Sequence, residues 1–245
     1  MASSRLLLEI AAGSLESALA AQAGGADRVE LCGSLDGGGV TPSFGAIALA
    51  RDRLRIPLYV LIRPRAGDFV YSPAELESMH RDVEACARLG CDGIVIGMLD
   101  ADGAVDVAGC RALVAAAGTM GVTFHRAFDC VTDRPVALDA VVALGCERIL
   151  TSGGADSAEQ GASVIAADIA HAAGRIALMP GAGLNPANIA VVALATGARE
   201  FHASAREFLP GIGREGPAGL ARGYWHSSED MVRRLRRALD AVFIS

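Results

Sequence analysis

The run Thr123-Phe124-His125-Arg126-Ala127-Phe128-Asp129 sets an imidazole, a guanidinium and a carboxylate within five positions, directly after the short apolar stretch Gly121 to Phe124. Where a buried strand surfaces, such a group is equipped for ligand binding or proton transfer. The plain alternative is a loop held by a structural salt bridge. Other apolar runs in the chain end the same way: Glu9, Glu30 with Cys32, Arg63, Thr151 with Ser152, Gly181 with Gly183, and His202 with Ser204 and Arg206. Glu9, Glu30, His125 and His202, gathered in one place, could donate and accept protons, because mutual burial moves such groups toward neutral pKa values. Arg63 and Arg126 could stabilise developing negative charge. Gly181, Gly183, Ser152, Ser204 and Arg206 could hold an anion through backbone amides, hydroxyls and one cation. An internal network, such as Glu30 paired with Arg63, would account for the same residues without chemistry.

The elements that must position these groups follow from the apolar pattern. Strand-like runs occur near residues 6–10, 28–32, 58–62, 93–97, 121–124, 148–151, 176–179 and 200–203, and a helical stretch follows each. Ser72-Pro73-Ala74-Glu75 is a capping box with proline at the first helical position, opening a helix to about Leu89. Ser14, Thr41-Pro42, Asp106, Asp133, Ser157-x-x-Gln160, Asn185-Pro186 and Ser228 are the other helix starts. Helix ends recur as Gly25-Ala26-Asp27, Gly90-Cys91-Asp92, Gly145-Cys146-Glu147 and Gly197-Ala198-Arg199, each just ahead of an even-numbered strand. This echo points to a repeated double β/α unit. The expected fold is α/β, a single (β/α)8 TIM barrel over residues 1–245, more than an open doubly wound sheet. In a barrel all strand C-termini share one face, which would bring Glu9 through Arg206 to one mouth. Period-two parity puts Tyr59, Leu61 and Arg63 on one strand face, as it does Thr123 with His125 and Glu30 with Cys32. Residues 207–227, with several prolines and glycines and the only tryptophan, Trp225, form a loop or arm before the last helix.

Bulk composition narrows the chemistry. All 22 Lys+Arg residues are arginines, so Schiff-base, pyridoxal-phosphate and Gly-Lys-Ser/Thr P-loop chemistry lack their ε-amine. A net charge of −6 without a basic, aromatic-rich stripe argues against nucleic acid. No apolar run approaches a membrane span, and the first residues lack a secretory signal's pattern, so a cytoplasmic protein is expected. The six cysteines form no Cys-x-x-Cys pair and are expected as reduced thiols. Cys86, Cys110, Cys91 and Cys146 fall in helices or at the opposite corners. Cys32 and Cys130 alone fall on the functional face; together they could bind Cu(I), with His125 nearby, or be ordinary thiols.

Several strand ends match one family in series. Val29-Glu30-Leu31-Cys32, Gly39-Val40-Thr41-Pro42-Ser43, Ile62-Arg63-Pro64-Arg65-x-Gly67-Asp68-Phe69, Thr123 to Asp129, Leu150-Thr151-Ser152-Gly153, Met179-Pro180-Gly181-x-Gly183 and Glu200 to Arg206 resemble the CutC copper-homeostasis family. The family is distinct from the glycyl-radical choline lyase that shares its name. The resemblance runs in register from about Leu8 to Arg206. It implies a cytoplasmic TIM barrel, a dimer or larger homo-oligomer, linked to copper handling, with Cys32 as the copper ligand that carries over.

Three readings follow. The first is a copper-homeostasis protein binding Cu(I) weakly through Cys32, helped by Cys130 and His125. The second is an isomerase, epimerase or lyase for a small phosphorylated or carboxylated metabolite. The third is a dimeric scaffold whose arm binds a partner.

Overall fold

The computed structural model describes residues 5–211 and 223–243. Eight parallel strands, β1 (Leu7–Ala12), β2 (Arg28–Leu31), β3 (Leu58–Leu61), β4 (Gly93–Ile96), β5 (Gly121–Phe124), β6 (Arg148–Thr151), β7 (Ala177–Pro180) and β8 (Glu200–Ala203), run in the order 7-6-5-4-3-2-1-8. β1 pairs with both β2 and β8, and β7 lies against β8, so the sheet curls into the (β/α)8 barrel. An open doubly wound sheet would instead leave its first strand inside the sheet with two free edges.

Helices α1 (Leu15–Ala23), α2 (Phe44–Arg53), α3 (Pro73–Leu89), α4 (Val107–Ala117), α5 (Arg134–Ala143), α6 (Ala162–Ala172), α7 (Ile189–Thr196) and α8 (Glu229–Asp240) follow the strands in turn. The capping box on α3 forms as expected: Ser72 Oγ accepts from Glu75 N, and Glu75 reaches back to Ser72 N at 2.8 Å. Three helix starts differ from expectation. Ser43, not Thr41, caps α2, because Thr41 is engaged with the end of β3, accepting from Arg63 N at 2.9 Å and donating its own amide to Arg63 O. Ser157 caps only a turn, through Gln160 N, and α6 begins at Ala162. Asn185 likewise closes an Asx turn onto Ala187 N, and α7 begins at Ile189.

The repeated glycine-small-polar corner has a clear physical job. Gly25, Gly90, Gly145 and Gly197 all have positive φ, which lets the chain leave each helix sharply. The polar residue two positions on then ties down a neighbouring strand: Asp27 accepts from Leu8 N at 2.8 Å, and Asp92 accepts from Leu58 N at 2.8 Å. These bonds fix the register in which the strands carry their side chains to the opposite rim.

Alternation divides the strand residues into two sets. Leu58, Val60 and Ile62 pack outward into the main core beneath the helices, while Tyr59, Leu61 and Arg63 point the other way. Inside, the barrel is filled mainly by charge. Arg28 pairs with Glu9 and, at 2.8 Å, with Glu200; Arg148 reaches the same Glu200 at 2.9 Å and Thr123 Oγ1 at 3.0 Å. Both guanidiniums lie over the Tyr59 ring, 5.1 and 5.0 Å from its centroid. The two arginines face the buried Glu9 and Glu200, with the half-exposed Glu147 also on Arg148 at 2.9 Å, so no cation of this layer is left uncompensated.

The arm expected at 207–227 contains an antiparallel hairpin, β9 (Arg206–Pro210) with β10 (Gly223–Ser227), anchored where Ser227 N donates to Ser17 Oγ at 3.0 Å. Gly213, Gly216 and Pro217 of that expectation lie outside the described residues.

Candidate functional site

A cavity of about 540 Å³ opens at the C-terminal ends of the strands, above the charged layer. Its walls include Glu30, Arg63, His125, Arg126, His202, Gly183, Ser204 and Arg206, eight of the residues singled out in the sequence. Glu30 and His202 stand one residue before the ends of β2 and β8, and the others follow the ends of β3, β5, β7 and β8.

Glu9 lies directly behind the wall and binds the floor to it. One of its oxygens meets Arg28 and the other accepts from His202 Nδ1 at 2.7 Å. Burial opposes its ionisation, but Arg28 and His202 outweigh burial and hold the Glu9 carboxyl well below the ordinary range. His202 is affected in the opposite sense. Burial alone would lower it, yet the Glu9 hydrogen bond and the charges of Glu30 and Glu9 raise it above the usual imidazole value. Glu30 completes the group, with ligand atoms of Glu9, Glu30 and His202 all within 4.8 Å of one another. Burial, with Glu9 adding to it against the pull of His202 and Arg28, pushes Glu30 up to about 7. Its Oε2 is buried and has no hydrogen-bond partner among the described residues. A carboxyl poised at neutrality beside an ionised carboxylate and an imidazole whose pKa is raised can take up or release a proton under ordinary conditions.

The opposite wall carries a second group. His125 Nδ1 accepts from Ala127 N at 3.1 Å, and its ring stands 5.0 Å, centroid to centroid, from Phe69. Burial and the nearby Arg63 charge lower its pKa to about 3. This imidazole is therefore neutral at physiological pH and is not a proton shuttle. Arg63 is clamped by carbonyls, with Gly39 O at 2.9 Å and Gly67 O at 2.8 Å, and its guanidinium lies 5.0 Å from the Phe69 centroid. The internal Glu30–Arg63 bridge weighed from sequence is absent among the described residues; Arg63 is held by backbone instead.

The anion loop is present in part. Gly183 and Ser204 line the cavity with Ala182 and Leu184, and among the described residues the amides of Ala182, Gly183 and Leu184 meet no protein acceptor. Consecutive amides in such a turn make an anion-binding concavity. Arg206 stands on the same side, its guanidinium 5.5 Å from the Trp225 ring centroid. Gly181 forms backbone floor: a Cβ there would collide with Leu150 and crowd His202.

Other candidates lie apart from the cavity. Asp129 is a buried hub, accepting from Thr151 Oγ1 at 2.5 Å, Ser152 N at 3.0 Å, Gly154 N at 3.0 Å and Arg126 Nε at 2.8 Å. Burial opposes these bonds, but they prevail and hold its carboxyl below the ordinary range. Ser152 is fully buried and engaged with Asp129, Ala155 O and Arg126. Asp129 and Ser152 thus fix Arg126 at the rim and do not themselves face the cavity. Cys32 packs with Tyr59, Leu61 and Val95, its Sγ 3.7 Å from Ala12 O, and burial with the Glu30 charge pushes its thiol well above the usual range. Cys130 is exposed and is not part of the cavity wall.

Two contributors escaped the sequence reading. Phe69 lies against both His125 and Arg63, within the Arg63-to-Phe69 run. Arg28 shares strand parity with Glu30, which was the available signal.

The CutC family model matches residues 6–207. A family protein CutC of Xanthomonas axonopodis pv. citri (strain 306) is 64% identical over 199 residues, covering 81% of this chain and 83% of that one. Another, from Chromobacterium violaceum, is 52% identical over 244 residues, 96% and 98% of the two chains. The crystal structure of a Streptococcus agalactiae CutC protein assigned to copper homeostasis superposes with a TM-score of 0.77 at 33% identity, covering 80% of this chain and 97% of that one. Phosphoribosylanthranilate isomerase from Thermotoga maritima gives 0.60 at 14% identity over 96% and 99%, a likeness of fold alone.

Proposed function

The chain belongs to the CutC family, and from that premise and the geometry of the mouth we propose that it binds a small anionic metabolite in the cytoplasm and moves a proton on it. The carrying observation is Glu30: a buried carboxyl at the cavity wall, raised to about 7, with one oxygen unpartnered among the described residues, held beside the Glu9–His202 pair. A general base works best with a pKa near the working pH, and among the described acidic groups at the mouth Glu30 has that property. The free amides of Ala182 to Leu184, with Arg206, would seat the anionic end. Arg63 and Arg126 would make the cavity's field positive toward that substrate. Isomerisation, epimerisation or elimination fits a lysine-free site that offers acid, base and fixed cations.

The test is exchange of substrate C–H for deuterium in heavy water, followed by proton NMR across a panel of phosphorylated and carboxylated sugars and oxo acids. Exchange that depends on Glu30 would support the reading. Absence of exchange throughout the panel, with no thermal stabilisation by any member, would sink it.

Copper as cargo is the second reading, favoured by the family's link to copper homeostasis and by Cys32 at the end of β2. Cu(I) prefers soft thiolate donors, and binding must expel the thiol proton. The donor set agrees poorly with a Cu(I) centre: Cys32 is an isolated, strongly protonated thiol, and Glu9, Glu30 and His202 supply two hard carboxylates and one imidazole. Anaerobic Cu(I) titration against a competing chelator decides it; equal uptake by Cys32→Ser and the parent removes Cys32 from consideration. Self-association through the hairpin, where Phe208, Leu209, Tyr224 and Trp225 are exposed, is the assembly we would look for by light scattering.

A further inference from the structure

His125 is built in a way that proton shuttling does not explain. Its Nδ1 already accepts the Ala127 amide hydrogen, so in the neutral ring the proton must reside on Nε2. That Nε2 is buried and finds no hydrogen-bond partner among the described residues, although its residue lines the cavity. A buried N–H left without an acceptor has lost its hydration and gained nothing in return, so an arrangement that maintains one calls for an acceptor brought by a ligand.

The ring is also fixed in place. Phe69 covers one side, and Gly97 lies against another so closely that a Cβ there would overlap Cε1 and Nδ1 of the imidazole. Arg63, itself held by three consecutive carbonyls from Gly37 to Gly39 and by Gly67 O, lies over the Phe69 ring. Burial first, and the Arg63 charge after it, keep the imidazole from becoming cationic. An immobilised neutral N–H donor is the group that serves a developing oxyanion, since an imidazolium would surrender its proton instead of only polarising the oxygen. Around the wall, β2 and β5 are three strands apart, so Glu30 and His125 face the cavity from different sides.

We propose that His125 donates its Nε2–H to a substrate carbonyl oxygen, and that the mouth's substrates are therefore anionic aldehydes or ketones bearing a hydrogen on the carbon next to the carbonyl. This deepens the proposed function and rests on it. Ionised Glu30 takes that hydrogen as a proton. The C–H electron pair becomes the carbon–carbon double bond, and the carbonyl π pair moves onto oxygen, where the His125 N–H receives it. Protonated Glu30 then returns the proton to that same carbon, the double-bond pair takes it up and the oxygen's pair re-forms the carbonyl, leaving the protein unchanged. No oxidant or reductant is needed.

The experiment uses the full chain with 15N-labelled histidine and three probes: phosphoglycolohydroxamate as the planar enediolate mimic, glycerol 3-phosphate, which has no carbonyl, and inorganic phosphate. We expect His125 to be the Nε2–H tautomer without titration down to about pH 5, and its proton signal to move downfield with the hydroxamate. The hydroxamate should bind about a hundredfold more tightly than glycerol 3-phosphate. His125→Leu should abolish that preference, while His125→Gln, whose amide can donate from nearly the same point, should keep part of it. An Nδ1–H tautomer, or titration near the ordinary imidazole value, overturns the proposal in the unmodified protein, independent of how any variant folds. Equal affinity for the two organophosphates overturns it too, with anion binding left standing. No thermal shift with any of the three, inorganic phosphate included, overturns the anion reading and this inference with it.

Discussion

Glu9 and His202 are register partners across the β1–β8 seam, and His202 Nδ1 donates to Glu9 Oε1 at 2.7 Å while the other Glu9 oxygen is held by Arg28. One carboxylate thereby joins the barrel's charged floor to the wall of the cavity above it.

Glu9→Gln should cut that joint. Losing the Glu9 charge and hydrogen bond removes the main cause that raises His202, so its pKa should fall in an NMR titration. Arg28 would retain only Glu200 as its acidic partner, and a half-compensated buried cation costs about 3 kcal/mol or more in urea denaturation. An unchanged His202 titration would mean that Glu30, not Glu9, governs it.

Glu30→Gln should stabilise the protein in a pH-dependent way. The folded pKa of about 7 exceeds the ordinary 4.5, so the folded state holds this proton more tightly than the unfolded state. Its contribution is full below about pH 4.5 and is lost as pH rises through about 7. The permanently neutral glutamine avoids that loss and should exceed the parent by roughly 1–3 kcal/mol at about pH 8, converging with it in acid. Denaturant midpoints at several pH values measure this, and parallel curves would contradict it.

Asp129→Asn should behave in the reverse sense. The folded carboxyl titrates below its ordinary 3.8, so its stabilisation is present above that value and fades as pH falls through the depressed one. The variant should lose about 3 kcal/mol near neutrality, with the deficit shrinking in acid, because the lost charge leaves Arg126 and two backbone amides poorly matched. Thermal melts at about pH 7 and pH 3 compare the two regimes.

Gly97→Ala should displace the His125 ring. The added methyl occupies imidazole space and also presses on Ala127, so overpacking of about 1–3 kcal/mol is expected. The histidine 15N spectrum should show a changed His125 environment, whereas Gly90→Ala, with nothing nearby to strike and only the strain of its positive φ of 72°, should leave that spectrum alone.

How much of this could be read from the chain depended on the range of the interactions. Alternation within β3 assigned Tyr59, Leu61 and Arg63 to the interior because side-chain parity is a local property. The Ser72 capping box was equally legible, being complete within four residues. Thr41 was not, because its hydroxyl is claimed by Arg63, a partner 22 positions away. Asp129 and Ser152 looked like site residues for the same reason: sequence displays their polarity but hides that each satisfies the other. The converging mouth followed once eight β/α units were recognised. Yet the division of labour inside it, with Glu30 near neutrality and His125 kept uncharged, arises from burial and from charges on other strands, which no short window contains.

The hairpin supplies a built-in optical gauge of occupancy. Arg206 forms part of the cavity wall, begins β9, and stacks over Trp225, the chain's sole tryptophan. An anion drawing that guanidinium inward would pull a quenching cation from the indole face, so filling of the pocket should register as a change in intrinsic fluorescence, without any label attached.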